Sequence, residues 1–134
     1  MNVADSSGWI EFFKAGPNGL TFKPIIQDES RLLVPSISLF EVHRVLSRAL
    51  PADVAQTCLD VMCRGRALDL TDRRAIAASE AAARHGLALA DAATYSMALE
   101  HGATLWTKDV DYQGLPGVHY CAKPSERLAL KISG

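Results

Sequence analysis

Five short apolar runs punctuate this chain, MNVA at 1–4, RLLVP at 31–35, RALDL at 66–70, ATLWT at 103–107 and GVHYC at 117–121, each the length of a strand. Between them apolar residues recur at helical spacing, predicting helices over 6–14, 21–28, 36–49, 52–64, 72–85 and 91–101 and a short turn after Asp109. Several of these segments end in a cationic residue close to a glycine, as in KAG at 14–16, Arg64-Gly65, His85-Gly86 and His101-Gly102. Such endings suit the negative end of the helix dipole and a left-handed C-cap. Strands separated by helices imply an α/β domain with a parallel sheet of about five strands and helices on both faces. In such a sheet ligands gather beyond the carboxyl ends of the strands, where loops lead into helices.

At 134 residues the chain suffices for one substantial core, so a single domain spanning 1–134 is expected. Hydrophobic residues make up 49% and charged residues 22%, a balance that leaves no room for a long disordered tail. Lys and Arg total 14 against 15 Asp and Glu, so no general field draws nucleic acid or membrane, and any polyanion must be held locally. Cys58, Cys63 and Cys121 are odd in number and lack CxxC or zinc-type spacing, which points to reduced packing thiols and a cytoplasmic setting. The opening MNVADSSGWIEFF has no basic region followed by an apolar run, and no apolar stretch approaches about 18 residues, so neither secretion nor membrane spanning is expected.

The edge rule sorts the acids. Asp5 directly follows the first strand, and Asp109 follows TLWT by one residue. Glu41 lies about one turn into the helix after the second strand, bordering its apolar face through Ile37 and Val45. Asp91 is the only charge between Gly86 and Leu99, and burying it alone costs several kcal/mol. Glu11 has Ser7, Gly8, Lys14 and Ala15 as helical neighbours and is expected to face water, as are Asp53, Asp60, Asp72 and Glu80. Each selected acid also has a plainer explanation. Asp5 and Asp91 suit N-caps of helices starting at Ser6 and Ala92, Glu41 a capping box with Ser38, and Asp109 a turn. Caps do not explain why four acids share one edge of one sheet.

The segments DSSGWIEFF, SLFEVHRVL, LADAATYSMA and TKDVDYQGLPGV, in that order and spacing, resemble PIN-domain ribonucleases of the VapC toxin type over nearly the whole chain. The resemblance implies a PIN-like nuclease fold and matches Asp5, Glu41, Asp91 and Asp109 to the family's metal-binding, catalytic carboxylates. It matches Ser6 to a small hydroxyl position beside the first acid and Thr107 to the hydroxyl residue two before the last. It also implies an RNA substrate, a cognate antitoxin that covers the site, and a homodimer.

The chemistry follows from charge. Two carboxylates about 4 Å apart repel by roughly 4 kcal/mol at an effective dielectric near 20, so four ionised acids need a cation or shared protons. Oxygen ligands without His or Cys select Mg²⁺ or Mn²⁺, as one ion or two. Such a cation lets an acidic pocket approach a phosphodiester and hydrolyse it, with Asp91 or Asp109 as candidates to orient the attacking water. Thr107 is a further candidate to position that water, beside the plainer role of a strand-end hydroxyl satisfying backbone groups.

The remaining polar residues read as surface or caps. Lys14, Arg44, Arg48 and Lys108 are read as solvated surface, and His43, His85, His101 and His119 form no ligand set. Trp9, Ile10 and Phe13 share a core-facing stripe, leaving Phe12 as a candidate partner contact. The alternative from another class is a phosphorylatable receiver module, with Asp69 as acceptor and Lys123-Pro124 after the last strand. A receiver needs an acidic pair near the end of its first strand, where this chain has Asp5 alone, and it leaves Glu41 and Asp91 unexplained. A fold kept purely for binding would have no need of four intact acids.

Overall fold

The computed structural model describes residues 1–122, so Lys123 and Pro124 lie outside the described residues. Strands β1 (Asn2–Ala4), β2 (Leu32–Pro35), β3 (Arg66–Leu68), β4 (Thr104–Thr107) and β5 (Val118–Tyr120) form one all-parallel sheet in the order β3-β2-β1-β4-β5. All fall within the predicted runs. Helices are α1 (Ser6–Phe13), α2 (Gly19–Gln27), α3 (Ser36–Ala49), α4 (Ala52–Met62), α5 (Asp72–His85) and α6 (Leu89–Glu100), with 3-10 turns at Glu29–Arg31 and Val110–Tyr112. None is long and apolar enough to cross a membrane.

The strand period of two divides the core. Val3, paired with Leu33 and Leu105, shares one buried layer with Leu68, Ala92, Ala93, Tyr95 and Met97. Ala4, Leu32 and Val34 share the opposite layer with Trp9, Phe22, Ile26, Val42, Leu46 and Met62. Helices therefore cover both faces, α5 and α6 on one and α1 to α4 on the other. Trp9 and Phe13 stack at 5.7 Å between ring centroids, while Phe12 is half-buried edge-on to Phe13.

Helix ends follow local chemistry with departures at KAG and at α6, and Gly65 after α4 is not left-handed. Thr71 caps α5 by accepting from the Arg74 N–H at 3.2 Å, and Gly86 ends it in the left-handed conformation at φ 67°. At KAG, however, the left-handed residue is Ala15, at φ 52°. Gly16 is required for a different reason: a Cβ there would collide with the Glu11 carboxylate. The second departure is at α6, which starts at Leu89 with Ala88 as N-cap, so Asp91 sits inside the first turn and is no cap. Small residues let α6 pack closely, burying Ala92, Ala93, Thr94, Tyr95, Met97 and Ala98. This is how one helix carries a carboxylate into the core's edge.

Candidate active site

Four elements deliver the four predicted acids to the carboxyl edge of the sheet. Asp5 sits between β1 and α1 and is 3% exposed. It does cap α1, accepting from the Gly8 N–H at 3.0 Å, but it also accepts from Ser7 Oγ at 2.8 Å and from Thr107 Oγ1 at 2.7 Å, across the sheet. Burial pushes its pKa up to about 6; the hydrogen bonds from Thr107, Ser7 and Gly8 oppose the rise and the charge of Asp109 adds to it. Thr107 at the end of β4 accepts in turn from the Asp109 N–H at 2.9 Å. One hydroxyl thus satisfies a strand-end backbone group and ties Asp5 to the loop bearing Asp109.

Glu41 projects from α3 beside Ser6, whose hydroxyl opposes the rise in its pKa. Burial, then the charges of Asp91 and Asp109, raise its pKa. No capping box forms, because Ser38 lies wholly buried inside α3 and the N-cap is Pro35. Asp91 accepts from Tyr112 Oη at 3.1 Å, and burial followed by the charges of Asp109 and Asp111 raises its pKa. Buried Tyr112 is held protonated, chiefly by desolvation and then by Asp5 and Asp91, which keeps its hydroxyl a donor. Asp109 caps the 3-10 turn by accepting from the Asp111 N–H at 2.9 Å, so the turn role expected of it is also real. Asp109 is the common neighbour whose charge reaches Asp5, Glu41 and Asp91.

Among the described residues, Asp91, Asp109 and Asp111 each offer a carboxylate oxygen within 4.8 Å of the others. Asp111 was absent from the predicted set, having only a turn pattern around it; so were Ser7 and Tyr112. A set of this kind fits a hard cation, since every donor is oxygen; Asp5 and Glu41 stand outside that close set and reach it through the charge of Asp109.

Two further expectations, for Glu11 and Lys108, are overturned. Glu11 does not face water but is 7% exposed, accepting from Lys108 Nζ at 2.8 Å and from the Asn18 N–H at 2.9 Å. Its helical neighbours are indeed small or polar, but the chain turns back over them before α2 and brings Asn18 onto the carboxylate. Lys108 arrives from 97 residues away. The hydrogen bond from Lys108 is the first cause holding Glu11 below the usual glutamate range. Lys108 is accordingly not free surface, and the pair anchors the residue next to Asp109. Of the histidines, His101 bonds the Met97 carbonyl at 2.9 Å at its helix end and His119 lies against Trp106, so they form no ligand set. Of the cysteines, Cys121 is buried, Cys58 half-buried and Cys63 exposed.

The sheet order also disposes of the receiver. Receivers of the 2-1-3-4-5 type place the third strand inside the sheet. Here β3 is an edge strand and exposed Asp69 stands beyond it, on the far side of β2 from β1 and Asp5.

Onto this parallel five-stranded α/β domain the PIN domain family model matches over residues 3–117: the chain belongs to the PIN domain family. Among solved structures it is similar to a toxin-antitoxin complex from Klebsiella pneumoniae, at 19% identity and TM-score 0.74 over 89% of this chain and 96% of that one. It is also similar to DNA-bound VapBC from Salmonella typhimurium, at 20% identity and TM-score 0.71 over 90% of this chain and 96% of that one. A third is Mycobacterium tuberculosis VapC20, a sarcin-ricin loop cleaving toxin, at 18% identity and TM-score 0.71 over 87% of this chain and 95% of that one. At such identities the likeness is one of fold. No curated protein sequence matches the chain.

Proposed function

We propose that this PIN-domain protein is a divalent-cation-dependent endoribonuclease of the VapC type, the toxin of a toxin-antitoxin pair acting in the cytoplasm. The observation that carries the proposal is the convergence of Asp5, Glu41, Asp91 and Asp109 from four elements on one sheet edge, linked through Asp109. Those four are the proposed metal-binding and catalytic carboxylates, with Asp111 as an additional oxygen donor beside Asp91 and Asp109. Bound there, Mg²⁺ or Mn²⁺ supplies Lewis-acid chemistry at a phosphodiester.

The chain's own residues fix the donors in advance. Thr107 orients Asp5 and Tyr112 orients Asp91, so two carboxylates are positioned by hydroxyl donors before any ligand arrives, and Ser6 lies beside Glu41. Hydroxyls do this without neutralising the charge, where an arginine or lysine would compete with the cation for it. The cation nearest in sequence, Lys108, is drawn off to Glu11, and no cation among the described residues pairs with the four acids. A cluster held in this way favours a cation over protons at neutral pH.

The neighbours described above include toxin-antitoxin and VapBC complexes, which supports a cognate antitoxin as partner, and a homodimer is proposed on the same family grounds. A cleavage assay decides the activity. RNA is incubated with the purified protein in Mg²⁺ or Mn²⁺, without added metal, and with chelator. Cleavage that appears with metal and stops with chelator supports the proposal; cleavage indifferent to chelator overturns the mechanism.

A further inference from the structure

Helix α3 carries a second feature to the same edge. Phe40 is 59% exposed, and the Arg44 guanidinium lies 5.8 Å from the centroid of its ring. Arg48 follows one turn further along α3, also exposed. Phe40, Arg44 and Arg48 line a cavity of about 290 Å³ together with Ile10 and Val45, and its wall includes Ser6 and Glu41. The groove is therefore continuous with the acidic site through Ser6 and Glu41, which line it. Among the described residues neither arginine is paired with a carboxylate.

We propose that this groove is a single-stranded RNA subsite, in which a base stacks on Phe40 and Arg44 and Arg48 hold phosphates next to the scissile one. The inference rests on the ribonuclease function proposed above and adds the residues that hold its substrate. Four clustered acids repel a polyanion and a net charge of -1 gives no steering, so affinity has to come from cations placed beside the acids. From Glu41 to Arg48 is about 10 Å along the helix, within reach of neighbouring phosphates. Exposed aromatic rings and guanidinium planes are the surfaces on which unpaired bases stack. A second copy of this chain suits the groove less well, because a two-fold contact would bring the same arginines against each other without an acid between them.

The test titrates a fluorescein-labelled, mixed-sequence, single-stranded RNA dodecamer with protein carrying Asp109→Asn, in Mg²⁺ and over a series of KCl concentrations. Compared with that parent are versions further bearing Phe40→Ala, Phe40→Trp, or Arg44→Gln with Arg48→Gln. Phe40→Ala is expected to weaken binding roughly five- to 150-fold, the worth of one stacked base, and Phe40→Trp to restore it. The double arginine variant is expected to lower the slope of log affinity against log salt by about 1.4, at about 0.7 per single-strand phosphate contact. Unchanged affinity and slope in both variants overturn the subsite while RNA cleavage by the wild-type chain leaves the ribonuclease standing. A wild-type chain that does not cleave RNA, with a parent that does not bind it, overturns both. Sedimentation run alongside gives the remaining outcome: self-association that depends on Phe40, with RNA affinity unchanged, assigns the face to a second copy.

Discussion

Replacing Asp5 by Asn tests whether the acidic edge is held under charge strain. An ordinary aspartate titrates near 3.8, and burial raises Asp5 to about 6. Because the folded protein binds the proton more tightly, it holds more protons than the unfolded chain between those values, and stability falls as pH rises through the window. The difference amounts to about 3 kcal/mol at full ionisation, of which about half is already lost at pH 5. Asparagine keeps an acceptor for the Gly8 N–H and caps about as well as aspartate. It turns an amide toward Thr107 Oγ1, at a cost of about 1 kcal/mol. In chelator, Asp5→Asn should therefore be more stable than wild type at pH 7.5 by about 2 kcal/mol, and the advantage should shrink by about 1 kcal/mol at pH 5. Urea denaturation at both pH values, repeated in Mn²⁺, measures this. The cation should reduce the variant's advantage by stabilising wild type more than the variant. A wild-type-to-variant difference that does not change between pH 5 and 7.5 refutes the charge-strain account.

Three further outcomes are expected. Mn²⁺ at a hundredfold excess over its dissociation constant should stabilise the wild-type fold by about 2.7 kcal/mol, read as a rise in Tm; no shift at millimolar Mn²⁺ counts against a preformed site. Asp91→Asn should melt no lower than wild type in chelator, because Asp91 is not a cap and its loss relieves repulsion from Asp109 and Asp111, while Mn²⁺ stabilisation and RNA cleavage both fall. Wild-type cleavage by that variant refutes its role. Glu11→Gln should destabilise by roughly 1–3 kcal/mol at neutral pH through loss of a charged hydrogen bond. Since Lys108 lowers the Glu11 pKa, its stabilisation is present above the ordinary glutamate range and is lost as pH falls through the lowered folded value, so wild type and variant should converge in acid.

The alternation of strand runs and helical segments was enough to determine the parallel sheet and its two covered faces, because period two and period 3.6 are local properties of side-chain direction. All five strands lie inside their predicted runs, and Asp5 and Asp109 could be placed at the carboxyl edge from their position after β1 and β4 alone. The helix start at Leu89 rather than Ala92 escaped local signals, since Ala88 is no recognisable cap. Glu11 shows the larger limit. Its sequence neighbours describe a water-facing position, and only folding brings Lys108 and Asn18 onto its carboxylate. The same holds for the hydroxyls that set the acids, Thr107 on Asp5 and Tyr112 on Asp91, whose partners stand 102 and 21 residues away. Sequence pattern determines which residues reach an edge, because backbone direction carries them there. Which of them touch is decided by how the loops close over that edge, and hydrogen-bond distances of about 3 Å are set by the packing of both layers together.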